Sequence, residues 1–198
     1  VYRDLSKPVG ALNSTRLQEQ ISKIQAHKSH LYDSAPLCML VICSYLIRVE
    51  PFTTLHIEIQ NGRFDLPSRL FRSIQNLFNC VINHQNDYRE LIPEFYYDFE
   101  FLKNSNNFDF GESSDGVVND IILPKWAHQS RYEFIYTMRK ALESDICSGM
   151  INNWIDLIWG YKQRGKDAIE ANNTFNPQMY DSIWEDESSE LSAAENEC

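Results

Sequence analysis

Residues 90–111 read ELIPEFYYDFEFLKNSNNFDFG, and seven of the chain's 25 aromatic residues fall within these 22 positions. Six charged residues are threaded between the rings. So many rings do not all stay in water, and the stretch therefore belongs to a core. Its order fits neither regular template. Phe95, Tyr96 and Tyr97 are consecutive, Phe99 and Phe101 alternate only briefly, and Pro93 excludes a helix running through the start. The stretch reads as an extended, largely buried segment without a ladder of its own. Such a main chain must find hydrogen-bond partners elsewhere. The suppliers expected from sequence are Glu94, Asp98, Asn106, Asn107 and Asp109, whose short polar side chains bond neighbouring main-chain groups. These five form the expected structural polar core, and replacing Asn107 or Asp109 by Leu is expected to unfold the domain.

Helices are expected to wrap this segment. PLCMLVICSYLIR (36–48) is apolar on all sides, with Ser34 as cap, and predicts a buried helix. Residues 48–65 alternate at Leu55, Ile57 and Ile59 as a strand does, yet follow a proline; helix is preferred. From Asp65 as cap, apolar positions 66, 70, 71, 74, 77, 78, 81 and 82 keep a helical period. ESSDGVVND (112–120) is a surface turn, and IILPKWAH (121–128) an extended crossing anchored by Trp126. Ser130 and Glu133 have capping-box spacing, opening a helix that buries Phe134, Ile135, Met138, Ala141 and Leu142. Ser144 opens a further helix carrying Ile146, Met150, Ile151, Trp154, Ile155 and Ile158, stopped at Gly160. The fold class is mainly α: an irregular single domain with helices packed around extended aromatic-rich core segments.

At 198 residues the chain suits one domain with a sizeable core. Residues 185–198 carry six acids and no base, which leaves −4 of the net −10 on residues 1–184 (−10 less −6). The domain is therefore placed at 1–184 and a disordered acidic tail at 185–198. An acidic body without a basic stripe argues against nucleic acid. The cysteines at 38, 43, 80, 147 and 198 are odd in number and contain no CxxC pair, as expected of free thiols in a reducing, cytoplasmic setting. The longest apolar run, Ala35–Ile47, is too short to span a bilayer.

Candidate chemistry is sparse. Glu90, Glu94, Asp98, Glu100 and Asp109 in an aromatic setting are what a hydrolase would use if two of them converged. The competing reading is that they bond irregular backbone. His27, His30, His56, His84 and His128 form no HExxH and no ligand set with cysteine at zinc spacing. No GxSxG and no Gly-rich phosphate loop is present, and no cofactor is expected. The only concentrated basic stretch is 161–166. Tyr161, Lys162, Gln163, Arg164 and Lys166 are candidate partner-binding residues, with Arg164 suited to bidentate contact. Cations after a helix C-terminus are also what its dipole favours. A shaped turn at Tyr161 and Gly165 tilts the reading to partner contact. A phosphate- or lipid-binding module through Lys162–Lys166 is the alternative.

ELIPEF, FL and NNFDFG within 90–111 closely resemble the signature of the BEACH domain, the family of neurobeachin and the lysosomal trafficking regulator. WIDLIWGYKQRGKDAIEANNTF (154–175) resembles a second family signature, and RDLSKPVGAL (3–12), RVEPFTTLHI, NGRFDLPSRLF and ALESD extend the likeness over nearly all of residues 1–180. The opening segment resembles one that lies inside the family's domain, so the chain is expected to hold its C-terminal major part. One departure is local: Tyr32-Asp33-Ser34 is followed by Ala35-Pro36-Leu37, where the family has a glycine and then His-Tyr-Ser. The resemblance implies helices around a core poor in regular structure, and no catalysis. It implies a scaffold domain in very large cytosolic proteins of membrane traffic, including vesicle, lysosome and autophagy pathways. The implied partners are an adjacent pleckstrin-homology-like (PH-like) domain packed against it and other trafficking proteins, with WD repeats following and peripheral membrane association.

Overall fold

In a computed structural model describing residues 2–27 and 30–180, the ring-rich centre of the chain takes no helix longer than a single 3-10 turn. Two such turns, Pro93–Tyr96 and Glu100–Leu102, interrupt an otherwise irregular path. Each points one side inward: Phe95, Phe101 and Leu102 are buried, whereas Tyr97 stands at the surface. Tyr45 meets Phe95 edge-on at 5.1 Å and Phe71 at 5.5 Å, and Phe95 meets Phe101 at 5.0 Å. Edge-to-face rings gain quadrupole attraction beyond the area they bury.

Eight helices surround this cluster among the described residues: α1 (Ser14–His27), α2 (Met39–Tyr45), α3 (Phe52–Ile59), α4 (Ile74–Asn83), α5 (Arg131–Leu142), α6 (Asp145–Ser148), α7 (Ile151–Ile158) and α8 (Gly165–Glu170). The strands β1 (Glu112–Ser113) and β2 (Gly116–Val117) pair antiparallel as a minimal hairpin within the expected surface turn. The fold is thus mainly α. The acidic stretch 185–198 lies outside the described residues.

Four helix expectations are corrected. The helix predicted from Asp65 begins at Ile74, capped by Ser73, whose Oγ accepts the Asn76 N–H at 3.3 Å. Residues 66–69 form a turn instead, and Ser73 makes a parallel bridge to Ile122, so tertiary pairing overrides the periodicity. Helix α2 is not buried all round, because Met39 and Leu40 are exposed. Ser130 Oγ accepts the Glu133 N–H at 3.2 Å, but the Glu133 carboxylate turns to His128 Nδ1 rather than back to the cap, leaving half a capping box. The helix opened by Ser144 breaks at Gly149 and Met150 into α6 and α7.

The five residues expected to form the polar core do not lie in one. Asn106, Asn107 and Asp109 are exposed, and Glu94 and Asp98 are half-buried. Asp98 accepts the Glu100 N–H and Asp109 the Gly111 N–H, each at 2.9 Å, and Asn106 donates to the Arg48 carbonyl at 3.3 Å. Asn107 adopts φ +54°, a left-handed conformation Asn tolerates, and Glu94 accepts the Tyr97 hydroxyl. The physical reason is polarity. An ionised carboxylate only accepts, so it cannot satisfy a buried carbonyl, and Asp98 and Asp109 answer only amides of their own turns.

Donors from elsewhere hold the interior. Arg48, 1% exposed, donates through Nε and Nη2 to the Asn119 carbonyl (2.8 and 2.6 Å) and through Nη1 to the Phe71 carbonyl (2.9 Å). Its guanidinium lies 5.0 Å from the Phe110 ring centre. Buried Asn104 bonds both main-chain groups of Phe108, accepting its N–H at 3.0 Å and donating to its carbonyl at 2.9 Å. Buried Arg16 donates to the carbonyls of Val9, Gly10, Val81, His84 and Asp87, tying the first segment to the end of α4. Arg3 grips the buried Glu90 carboxylate with two bonds of 2.7 Å. Gly10 is required by close approach, because a Cβ there would sit 2.2 Å from a ring carbon of Tyr32.

Candidate interaction surface

The turn joining α7 to α8 carries the basic stretch. Helix α7 runs into Trp159 and Gly160, a 3-10 turn covers Tyr161–Gln163, and α8 starts at Gly165. Glycine is needed at both joints. A Cβ on Gly160 would lie 2.6 Å from the Asp156 Cα, and Gly165 has φ +69°.

Side chains from further along the sequence pin this turn. Asn173 is buried and its Nδ2 donates to the carbonyls of Leu157 (2.8 Å) and Lys162 (2.9 Å). Gln163 Nε2 donates back to the Ile158 carbonyl at 2.8 Å, and the Tyr180 hydroxyl donates to the Gln163 carbonyl at 3.4 Å. Four carbonyls that would otherwise need solvent are therefore answered by protein, which fixes the turn's shape.

Of the five candidates, Gln163 is a structural tie and the other four face outward in part. Tyr161 and Arg164 are exposed, Lys166 is exposed and Lys162 is half-buried. The Lys162 Nζ sits 5.4 Å from the Tyr161 ring centre, and the Arg164 guanidinium 5.1 Å from that of Tyr180. Rings rather than carboxylates hold these cations, so their charge is presented and not cancelled.

Beside the cations lies an apolar surface that the sequence reading missed. Ile155 was expected to face inward, but it is exposed, as are Trp159 (64%) and Ile169 (67%). Ile155 and Trp159 are one turn apart on the same side of α7 and its end, and Trp159 stands edge-on to Trp154 at 5.0 Å. The signal was available: Trp154, Ile155, Leu157, Ile158 and Trp159 span more arc than one buried stripe holds. Exposed rings and aliphatic side chains beside a turn that presents Arg and Lys have the composition of a protein contact surface.

The carboxylates of a hydrolase reading are not brought together. Glu90 is locked to Arg3, Asp98 and Asp109 bond adjacent amides, and Glu94 meets Tyr97. An open groove of about 510 Å³ lies along Tyr136, Arg139, Lys140, Glu143, Ser144 and Asp145, and none of Glu90, Glu94, Asp98 and Asp109 lines it. Among the described residues no His, Cys, Asp or Glu group has metal-binding arrangement. His27 lies in α1 with its side chain outside what is described. Cys38, Cys43, Cys80 and Cys147 are free thiols, and Cys198 falls outside the described residues. No helix among the described residues is long and apolar enough to cross a membrane.

Helices laid over irregular, ring-rich main chain, with a shaped ring-and-cation turn at one surface, define a mainly α domain of BEACH type. The Beige/BEACH domain family model matches residues 1–198, and the chain belongs to that family. It is 44% identical over 186 residues to the BEACH domain-containing protein lvsD of Dictyostelium discoideum, covering 91% of this chain and 6% of that protein. It is 44% identical over 180 residues to BEACH domain-containing protein B of Arabidopsis thaliana (88% and 7%). Against the human WD repeat- and FYVE domain-containing protein 4 it is 40% identical over 194 residues (91% and 6%). The chain thus spans less than a tenth of the length of these relatives.

Proposed function

We propose that this domain is a non-enzymatic scaffold within a large cytosolic protein of membrane traffic, acting through protein contact at the turn between α7 and α8. The observation that carries the reading is the pinned turn itself. Its carbonyls are tied inward while Trp159, Tyr161, Arg164 and Lys166 stand outward. Pre-shaping removes ordering cost from binding, and exposed Trp, Tyr and Arg are the side chains that anchor interfaces. Family membership supports the setting: a human relative carries WD repeats and a FYVE domain by name, so neighbouring domains in one long chain are natural first partners. The PH-like neighbour that the family resemblance implies is the first candidate, and other trafficking proteins on intracellular membranes follow. Vesicle, lysosome and autophagy roles belong to this proposal.

The test uses the intact protein carrying K162E, R164E and K166E together. Loss of co-purifying partners with an unchanged melting profile is the expected result, and an unchanged partner set refutes it. Sedimentation with phosphatidylserine vesicles runs alongside. Vesicle binding that disappears on charge reversal while the partner set stays intact moves the turn to the lipid reading.

A further inference from the structure

We propose that the interior holds a binding site for one ordered water molecule between Tyr32, Asn173 and Glu90, and that this water ties the first half of the chain to the clamp under the basic turn. The site is a cavity of about 10 Å³ whose walls include Gly10, Tyr32, Tyr88, Glu90, Asn173 and Phe175. Tyr32, Glu90 and Asn173 are 0%, 3% and 1% exposed. Two buried polar atoms in these walls have no hydrogen-bond partner among the described residues, the Tyr32 hydroxyl and Asn173 Oδ1. The Tyr45 hydroxyl and both His56 ring nitrogens also lack one, but neither residue lines this cavity. Two orphans in one small cavity are a different case.

The two atoms are chemically complementary but do not bond each other. Burial raises the Tyr32 phenol well above its ordinary value, so the hydroxyl keeps its proton and is a donor. Asn173 spends its amide nitrogen on the carbonyls of Leu157 and Lys162. A flipped amide would set its oxygen against those two carbonyls, so Oδ1 is an acceptor directed away from them. A water accepts from the Tyr32 hydroxyl and donates one hydrogen to Asn173 Oδ1. Its second hydrogen has an acceptor in Glu90, whose two oxygens each take one bond from Arg3 and keep lone pairs to spare. Three partners are what a buried water ordinarily has.

Size and charge select the ligand. A cavity of about 10 Å³ is at the lower limit for one water and excludes any organic molecule or hydrated ion. A bare cation would require uncompensated negative charge, and the Glu90 carboxylate is already neutralised by Arg3 through two bonds of 2.7 Å. The main chain already joins these segments on one side. The Tyr32 N–H donates to the Thr174 carbonyl at 3.0 Å, and the Asn176 N–H donates to the Tyr32 carbonyl at 2.9 Å. The water adds a side-chain link on the other side and holds the Asn173 amide in the orientation that grips Lys162. It stands independently of the functional reading above.

A structure of the full chain at a resolution that shows ordered water tests the site, together with urea unfolding of the parent and of Tyr32→Phe. The expected density is a single peak about 2.5–3.2 Å from both Tyr32 Oη and Asn173 Oδ1. The unfolding experiment separates the two cases by sign. With a water bound, Phe removes one of its bonds, and the folding equilibrium constant should fall about two- to tenfold. In a dry cavity the same change deletes a buried hydroxyl that bonds nothing, and the constant should rise. No peak at that position, a direct Tyr32–Asn173 hydrogen bond that closes the cavity, or a Tyr32→Phe chain at least as stable as the parent each overturns the proposal.

Discussion

Replacing Arg48 by Met should destabilise the domain by about 3 kcal/mol, a figure obtained by opposing two terms. Burial pulls the Arg48 guanidinium well below its ordinary value, to about 10, against a smaller opposing pull from Asp120. Each tenfold in proton affinity is about 1.4 kcal/mol, so keeping this charge inside costs roughly 3 kcal/mol. Against that stand three charged hydrogen bonds to the Asn119 and Phe71 carbonyls, each contributing about 1.5–3 kcal/mol. The bonds win by roughly 1–6 kcal/mol, and the Asn119 end, being near solvent, moves the value toward the middle of that range. Met fills the shape and relieves the charge but leaves the Phe71 carbonyl without a donor. Arg48→Lys is the sharper test, because it keeps the charge and forfeits the fork that reaches two carbonyls in different segments. Urea unfolding followed by circular dichroism measures both. A loss under about 1 kcal/mol in Arg48→Met, or an Arg48→Lys variant as stable as the parent, would refute the view that geometry rather than charge secures this core.

Three further outcomes follow from the same network. Asn104→Leu should cost about 2–4 kcal/mol in urea unfolding by stranding both main-chain groups of Phe108, whereas Asn107→Leu, being exposed, should cost about 1 kcal/mol from its left-handed backbone alone. Burial holds the phenols of Tyr32, Tyr45, Tyr88 and Tyr96 above their ordinary 10, so the unfolded chain ionises first. Stability is then fully present below pH 10 and falls as pH rises past it; Arg48, with a depressed value, works the opposite way but is one group against four. Thermal melts from pH 8 to 11 should show the fall, flattened in Tyr45→Phe. His56 is buried with both ring nitrogens lacking a partner among the described residues, and burial lowers its proton affinity against a weaker pull from Asp65. Its neutral form supports the fold above about pH 6.5, that support is lost as pH falls, and His56→Leu should narrow the difference in melting temperature between pH 7 and pH 5.

What the sequence made legible was local. The Ser130 and Ser144 caps, the helix after Pro51 and the buried rings of residues 90–111 all follow from chemistry within a few residues of each other. The start of α4 was not legible, because apolar spacing at positions 66–71 is the same whether those residues open a helix or form the turn that precedes the bridge of Ser73 to Ile122. The polar core was misplaced for a related reason. The amides and acids inside the central stretch were visible, but Arg48 lies 58 residues from Asn106 in sequence and 71 from Asn119, and nothing local announces that contact. At the candidate surface the basic turn was legible as composition and its glycines as joints. Its rigidity was not, since that depends on Asn173 and Tyr180 arriving from beyond α8.

The choice of arginine as the interior donor has a consequence for how the segments depend on one another. An irregular core leaves carbonyls in excess, since no ladder pairs them, and neither a carboxylate nor a two-donor amide can answer more than two at once. Guanidinium can, with five donors in a plane at the end of a long stem. Arg16 therefore joins residues 9–10 to 81, 84 and 87, Arg3 joins the same leading segment to Glu90 at the mouth of the ring-rich stretch, and Arg48 joins the chain just past α2 to 71 and 119. Each link crosses between segments far apart in sequence; losing Arg16 or Arg48 frees carbonyls in two places, and losing Arg3 leaves the buried Glu90 carboxylate unpaired. The RDLSKPVGAL segment is thus not an appendage to the helical shell. Gly10 makes room for Tyr32, Tyr32 packs on Tyr88 and Phe175, and the strand-like bridge of Tyr32 to Phe175 leads directly to the Asn173 clamp under the basic turn. The surface proposed to meet partners is held at the end of that chain of contacts, so its shape is set by the same arginine-held interior that replaces regular secondary structure.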